Sequence, residues 1–329
     1  AMARTVRLER LADAPQLYLA RGFLSEDECD SACRLATAMG YGPTGWGMES
    51  TLDIERCPGL IEEGKLKPED LHFLEDLAHR RIGLSGAPDC CTVPTVRVTQ
   101  PPAPDSHLGL GKVWFPMHLD TLEADAYMTI IIYLSTVPPR DGAHLLFPLA
   151  AAEGSSPPGT LLEASRSMIQ KGLYGLKHWA DGCLNEEAVR LAAAAASDAA
   201  MRATEAAGDA MHGASQLFRG DDGRGIAIPT TRGDAVCFFT RCADGSIDPA
   251  AYHAVAAMSQ ARREERCIAQ LFHCLPVTKT RDRYGRSKPQ PAAQSRGSAA
   301  SFCRDHAALR PCVAGDVRFE IDGAEGEAP

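Results

Sequence analysis

The sequence lacks the long apolar segments and the positive charge that several functional classes require. No apolar stretch approaches the roughly 18–20 residues that a membrane-spanning helix needs. The net charge of -9 at pH 7 argues against nucleic acid as the main partner, because phosphate binding requires a basic surface. The 329 residues, 45% hydrophobic and 23% charged, are instead typical of a globular protein with a sizeable core.

CxxC pairs are also missing, although the chain has 12 cysteines, and this argues against a zinc ribbon. The one asparagine, Asn185, precedes Glu-Glu, so no N-glycosylation sequon marks the chain as secreted. Cys29 and Cys33 share a face of a predicted helix. Disulfides and buried free thiols remain alternatives. The compartment stays open: the secretory pathway or ER lumen if a leader has been removed, and the cytoplasm otherwise.

Two helices are predicted in the N-terminal part. Ser25, with Glu28 three residues later, forms a capping-box pattern, and helical periodicity then continues to Gly40. A second amphipathic helix is predicted over residues 67–85. Residues 41–59, between the two helices, are rich in glycine and proline, which predicts a loop.

Short β-branched and apolar segments follow and predict strands. They are residues 92–100, 126–137, 143–148, 225–230, 234–240, 250–255 and 266–276. Strands without alternating helices favour a sandwich or barrel over a parallel α/β sheet. We therefore predict one α+β, mainly β domain over residues 1–277. Its predicted parts are N-terminal helices over 17–90, a β-core over 91–148 and 225–277, an alanine-rich helical insertion over 149–224, and a partly mobile C-terminal tail over 278–329.

A histidine and an aspartate lie two positions apart just before one apolar run. On a strand, His118 and Asp120 would share a face. Two histidines and one carboxylate form the ligand set of non-haem Fe(II) oxygenases, which leaves coordination positions open. His-x-Asp by itself is a weak indication, because an ordinary polar strand end gives the same pattern. His253, which follows a Gly-Asp strand and a turn, would complete the set, and Arg266 begins the next strand.

This order of segments resembles the catalytic domain of the prolyl 4-hydroxylase family of Fe(II)/2-oxoglutarate dioxygenases. The matching segments are "FLSEDECDSACRLA", "YLSTVPPRDGAHLLFP" and "GDAVCFFTRCADGSIDPAAYHAV", the last with its Gly-Asp strand, Asp-Gly-x-x-Asp-Pro turn and distal histidine. The resemblance covers about residues 17–148 and 225–275. It implies a double-stranded β-helix, or jelly roll, with supporting N-terminal helices.

The resemblance also implies a site and a reaction. His118, Asp120 and His253 would bind Fe(II) as the catalytic residues. Arg266 would pair with the far carboxylate of 2-oxoglutarate, which the fork of a guanidinium matches. The cosubstrates 2-oxoglutarate and O2 would yield succinate and carbon dioxide as an unactivated C–H is hydroxylated, with ascorbate as a reductant.

The sequence departs from the family pattern in several places. The usual lysine is Arg266, the Gly-Gly-Glu-Thr turn reads Gly142-Ala143-His144-Leu145, and the tyrosine three residues before the first histidine is Phe115. These changes make the predicted pocket more apolar. The Arg-Thr-Ser segment of the peptide-binding loop is not evident in residues 41–60, which weakens the argument for a peptide substrate.

Four residues are candidates for substrate contacts: Trp114, Phe115, Tyr127 and His144. Packing in the core is the alternative for the aromatic residues, and a polar strand end is the alternative for the histidine. Hydroxylation of peptidyl proline is the leading hypothesis for function. The same chemistry on a free amino acid or a secondary metabolite is the second. A catalytically inactive binding relative is the third, and the complete ligand set argues against it.

Overall fold

The computed structural model describes residues 4–44, 47–85, 95–99, 113–120, 126–151, 166, 169–170, 218–219, 224–256, 266–274, 313–314 and 317–321. The helices are α1 (Glu26–Met39), α2 (Cys57–Glu62) and α3 (Pro68–Ser85). The strands are β1 (Arg4–Asp13), β2 (Gln16–Ala20), β3 (Gly42–Thr44), β4 (Gly47–Thr51), β5 (Thr95–Thr99), β6 (Val113–His118), β7 (Ala126–Tyr133), β8 (Leu145–Ala151), β9 (Phe218–Arg219), β10 (Arg224–Ile228), β11 (Ala235–Phe239), β12 (His253–Ala256), β13 (Arg266–Cys274), β14 (Val313–Ala314) and β15 (Val317–Ile321).

The strands form two sheets. The first sheet has the order β14-β15-β1-β2-β11-β7-β13-β5-β4-β3, and the second has the order β6-β12-β8-β10-β9. From β5 to β8 the chain alternates between the sheets, and from β10 to β13 it alternates again. This arrangement is the double-stranded β-helix, so the predicted mainly β jelly-roll fold is confirmed.

Two apolar layers hold the sheets and helices together. The inner core lies between the sheets and includes Leu17, Leu19, Ile131, Tyr133, Leu145, Phe147, Ile226, Ile228, Val236, Phe238, Val255 and Ile268. The outer core packs helical residues Cys29, Ala32, Leu35, Ala36, Phe73, Leu74 and Leu77 on the other face of the first sheet. All eight residues of β7 are buried, because the strand is covered on both faces, and this explains why its sequence is apolar except for Thr129.

Helix α1 begins as the sequence predicts. The Ser25 side chain accepts a hydrogen bond from the Glu28 backbone at 3.2 Å, and the Glu28 carboxylate accepts one from the Ser25 backbone at 2.7 Å. These two bonds satisfy backbone N–H groups that a helix start leaves without partners. The helix ends at Gly40, whose φ of 85° suits a residue without a side chain.

The structure adds strands that the sequence did not predict. Residues 41–59, predicted as a loop, contain the β3–β4 hairpin, and β4 extends the first sheet by pairing with β5. At the chain ends, β1 pairs in parallel with β15, which lies inside the predicted C-terminal tail. These pairings join segments whose own sequences give weak strand signals, so only the partner strand reveals them. The predicted helical insertion lies almost entirely outside the described residues.

The structure gives the state of several cysteines and the character of the described helices. Four cysteines that the structure describes are free thiols: Cys29, Cys33, Cys57 and Cys237. For these four, the free-thiol alternative holds. Among the described helices, none has the length and apolar character needed to cross a membrane.

The Gly-Asp pair before β11 ties the N-terminal segment to the jelly roll. Gly233 donates its backbone N–H to the Tyr133 carbonyl at 2.8 Å, and its own carbonyl accepts a bond from Leu24 at 2.9 Å. The Asp234 carboxylate accepts the backbone N–H of Gly22 at 2.9 Å. This motif therefore has a structural role: it fixes the start of β11 against the segment that leads into α1.

Replacing Gly233 should destabilise the protein more than replacing a glycine of equal φ. Gly233 has a φ of +85°, and an added Cβ would lie 2.6 Å from the Leu24 carbonyl oxygen; Gly40 has the same φ with nothing within 4 Å. Backbone strain alone costs about 1–3 kcal/mol. We expect Gly40→Ala to lose about that much unfolding free energy in a denaturant titration, and Gly233→Ala clearly more. Equal losses would show that the close approach to Leu24 is not a constraint.

Candidate metal centre

The site lies where β6 and β12 pair. His118 ends β6, His253 begins β12, and the antiparallel register sets them directly opposite each other. Their ring centroids are 4.1 Å apart. Asp120, two residues beyond His118, has one carboxylate oxygen 3.3 Å from His118 Nε2 and the other 3.5 Å from His253 Nε2. The structure therefore brings together the three residues that the sequence predicts as ligands.

The three side chains form a compact, buried group. One ligand atom from each of His118, Asp120 and His253 lies within 4.8 Å of the others, and the three residues are 8%, 7% and 2% exposed. Two imidazoles and a carboxylate are a donor set that suits a divalent transition-metal ion such as iron.

A capped turn sets the position of His253. The Asp248 carboxylate accepts the backbone N–H of Ala250 at 2.8 Å, which begins the short 3₁₀ turn Pro249–Ala251 just before β12. His253 Nδ1 lies 3.1 Å from the Ala251 carbonyl oxygen. Because a carbonyl only accepts hydrogen bonds, Nδ1 carries the proton in neutral His253, and Nε2 keeps its lone pair. That lone pair is on the side facing Asp120.

Aromatic rings support His253 from the inner core. Phe147 stacks on its imidazole with ring centroids 5.4 Å apart, and Phe238 meets it edge-on at 4.8 Å. These rings belong to β8 and β11, one from each sheet. Packing of this kind limits rotation of the imidazole, which keeps Nε2 directed at the carboxylate.

The charges of the cluster follow from burial and proximity. Burial acts to raise the pKa of Asp120, but the imidazoles of His253 and His118 outweigh it and lower that pKa to about 2. Burial, followed by the effect of His118, lowers the pKa of His253 to about 4. At neutral pH the carboxylate is therefore ionised and His253 is neutral, the protonation states that metal ligation requires.

Strand β13 brings a cation and an amide to the same interior. Arg266, Ile268 and Gln270 share one face of the strand. Arg266 is 2% exposed, with its guanidinium carbon 5.8 Å from the centroid of the Tyr133 ring, and burial lowers its pKa. Four residues further on, about 13 Å along the strand, Gln270 Nε2 donates a hydrogen bond to Asp120 at 3.4 Å.

Gln270 is a site residue that no sequence motif indicates. Its position is four residues after Arg266 on a predicted strand, which places it on the same face. A neutral amide is neither a charged group nor a usual metal ligand, so its side chain does not mark a site. Its spacing from Arg266 is therefore the one sequence feature that indicates where Gln270 lies.

Of the four predicted substrate contacts, the structure describes the side chains of two, Tyr127 and His144. Tyr127 packs in the outer core, with ring centroids 6.3 Å from Phe239 and 6.1 Å from His273. His144 is fully buried just before β8, and its carbonyl oxygen accepts the Ala256 N–H at 2.9 Å. Trp114 and Phe115 belong to β6, but their side chains lie outside what the structure describes. Contact between these residues and substrate stays a prediction.

Comparisons with known proteins find only weak similarities. No family model matches the sequence, and no curated protein matches it. Solved structures that it resembles include a collagen prolyl hydroxylase from Paramecium bursaria Chlorella virus-1 in complex with 2-oxoglutarate (12% identity, 80% of this chain and 98% of that one, TM-score 0.39). A prolyl-4-hydroxylase from Pseudomonas putida is 13% identical over 80% of this chain and 94% of that one, with a TM-score of 0.35. HygX from Streptomyces hygroscopicus, with nickel and 2-oxoglutarate bound, is 10% identical over 82% of this chain and 85% of that one, with a TM-score of 0.36. Because these similarities are low, the function has to be inferred from the residues of the site.

Burial of His144 should make the stability of the protein depend on pH. Burial lowers the pKa of His144 to about 4 from an ordinary value of 6.5. Between these values the unfolded chain binds more protons, so stability falls as the pH drops from 7 to 4. The shift corresponds to about 3 kcal/mol at most. We expect His144→Leu to flatten this part of the curve of unfolding free energy against pH.

Replacement of the exposed His79 by leucine is the matched control and should leave the slope unchanged. If His144→Leu and the unmodified protein lose stability equally on acidification, His144 is not the group that takes up the proton.

Proposed function

We propose that the protein is an Fe(II)- and 2-oxoglutarate-dependent dioxygenase that holds its metal with His118, Asp120 and His253. The observation that carries this proposal is the direction of the donor atoms. His253 Nε2 presents a lone pair to an ionised carboxylate 3.5 Å away, inside a buried cluster. Two electron-rich atoms facing each other out of water repel one another, and a cation between them turns that repulsion into binding.

The residues present fit iron better than a structural zinc ion. Two imidazoles and one carboxylate occupy one side of the metal and leave other positions open, whereas structural zinc sites are closed by four protein ligands. Bound Fe(II), together with 2-oxoglutarate and O2, supplies the oxidising chemistry that converts a C–H bond to C–OH. The chain contributes ligand orientation, cosubstrate binding and exclusion of water by the rings of Phe147 and Phe238.

Arg266 is the proposed binding group for the far carboxylate of 2-oxoglutarate. It shares the interior face of β13 with Gln270, which contacts Asp120, so the cation and the metal cluster face one space. A guanidinium presents N–H groups in a planar fork, from which a carboxylate accepts two parallel hydrogen bonds. A diacid bound to the metal at one end would meet Arg266 at the other.

Peptidyl proline is the first candidate for the substrate, and a small molecule such as a free amino acid or a secondary metabolite is the second. The Asp-Gly-x-x-Asp-Pro turn favoured the first, but in the structure Asp248 of this turn caps the 3₁₀ turn before His253. The sequence of residues 41–60, which includes strands β3 and β4, lacks the Arg-Thr-Ser segment, and this favours the second. An ascorbate requirement stays a prediction of the resemblance.

Succinate release distinguishes the two substrate classes. Stimulation of succinate formation above the uncoupled rate by a proline-rich peptide, with no response to free amino acids, would favour the peptide candidate. Stimulation by free amino acids with no response to peptides would favour the small-molecule candidate. The same assay with and without ascorbate tests the reductant.

Loss of one metal ligand should abolish the metal complex. Anaerobic addition of Fe(II) and 2-oxoglutarate to the unmodified protein should give a weak visible charge-transfer band, and His118→Ala should remove it. His144→Ala is the control, since it also removes a buried imidazole but lies outside the cluster. A band that persists in His118→Ala would show that the ligands are assigned wrongly.

Loss of the guanidinium should weaken cosubstrate binding selectively. Charged hydrogen bonds are worth about 1.5–3 kcal/mol, so Arg266→Ala should raise the concentration of 2-oxoglutarate needed for half-maximal band intensity by about 10- to 100-fold. The Fe(II) requirement, measured at saturating 2-oxoglutarate, should change little. Equal changes in both requirements would mean that Arg266 has a structural role.

A further inference from the structure

Gln270 is a buried amide that is bonded through one end of its side chain. It is 5% exposed, and Nε2 donates to Asp120 Oδ2 at 3.4 Å. Its carbonyl oxygen, Oε1, is buried and accepts no hydrogen bond from the residues that the structure describes. A buried acceptor without a donor costs about 1–3 kcal/mol. Gln270 is therefore an unfavourable residue for a simple core position, where leucine or methionine would fit without that cost.

The opposite end of the amide, Nε2, supplies a hydrogen-bond donor to the Asp120 carboxylate. Because His253 Nδ1 donates to Ala251, neutral His253 has no proton on Nε2 to give to the carboxylate. Once an imidazole nitrogen ligates a metal, it likewise has no proton to donate. The carboxylate oxygen that faces His253 then depends on donors from the side, and the Gln270 amide supplies one. A hydrogen bond to a metal-ligating carboxylate fixes which oxygen faces the ion.

We propose that Gln270 is a positioning residue that orients Asp120 for metal binding and is retained despite lowering the stability of the metal-free protein. This inference rests on the proposed function, because it assumes a metal at the cluster. It predicts effects of opposite direction: removal of the amide weakens metal binding, and it leaves the stability of the metal-free chain unchanged or raised. A residue that only supports the core would weaken both together.

The variant Gln270→Met tests this inference, since methionine has similar length and no hydrogen-bonding amide. The probe is Co(II) alone, added to the full-length protein without oxygen and followed by its visible absorption. Removal of groups that orient metal ligands typically weakens binding by 10–100-fold, so we expect the Kd for Co(II) to rise by about that factor. Denaturant unfolding of the metal-free protein should show no loss of stability.

Ile268→Met is the matched control, because Ile268 lies on the same face of β13 and makes inner-core contacts. It should change the Kd for Co(II) by less than about 3-fold, since Ile268 offers the carboxylate no hydrogen bond. Gln270→Leu serves as a second variant and should behave like Gln270→Met.

The outcomes separate the two hypotheses. If the unmodified protein does not bind Co(II), the metal site and this inference both fail. If it binds Co(II) and Gln270→Met binds equally well, this inference alone fails. If Gln270→Met loses stability and metal affinity together, Gln270 is structural, and the positioning role is also overturned.

Discussion

The antiparallel pairing of β6 with β12 is the interaction on which the site depends. It sets His118 opposite His253 although the two are far apart in the chain. On its other side β12 pairs with β8, so the second sheet holds the distal histidine from behind. Fixing side chains from distant segments costs conformational entropy, and here the two apolar cores offset that cost during folding. The packing of the two cores consequently holds His118, Asp120 and His253 together.

This arrangement concentrates unfavourable features in one small volume. An ionised carboxylate, a neutral imidazole lone pair and an amide with a buried carbonyl lie within the same part of the interior. Each would destabilise an ordinary core. The surrounding layer of Phe147, Phe238 and their neighbours supplies the stability that keeps the group in place. Such local conflict inside an otherwise consistent fold is typical of a functional site.

Local signals in the sequence predicted much of the fold and most of the site. The capping box of α1 and the apolar run of β7 each depend on nearby residues, and both are found as expected. His118 and Asp120 lie close together as their spacing suggests, although β6 ends at His118 and Asp120 lies beyond the strand. Apart from the local β3–β4 hairpin, the missed features depend on partners far away in the chain. Strand β1 becomes recognisable through its pairing with β15, and Gln270 through its contact with Asp120.

The motif residues divide into two groups with different implications. Gly233, Asp234 and Asp248 make backbone contacts that hold β11 and the turn before His253, and these contacts serve the ligand geometry. They would be needed for any substrate. His144, which departs from the family pattern, also makes a backbone contact of this kind, because its carbonyl oxygen accepts the Ala256 N–H of β12. These backbone contacts do not depend on which side chain is present, so substrate specificity has to be sought in the side chains that differ from the family pattern.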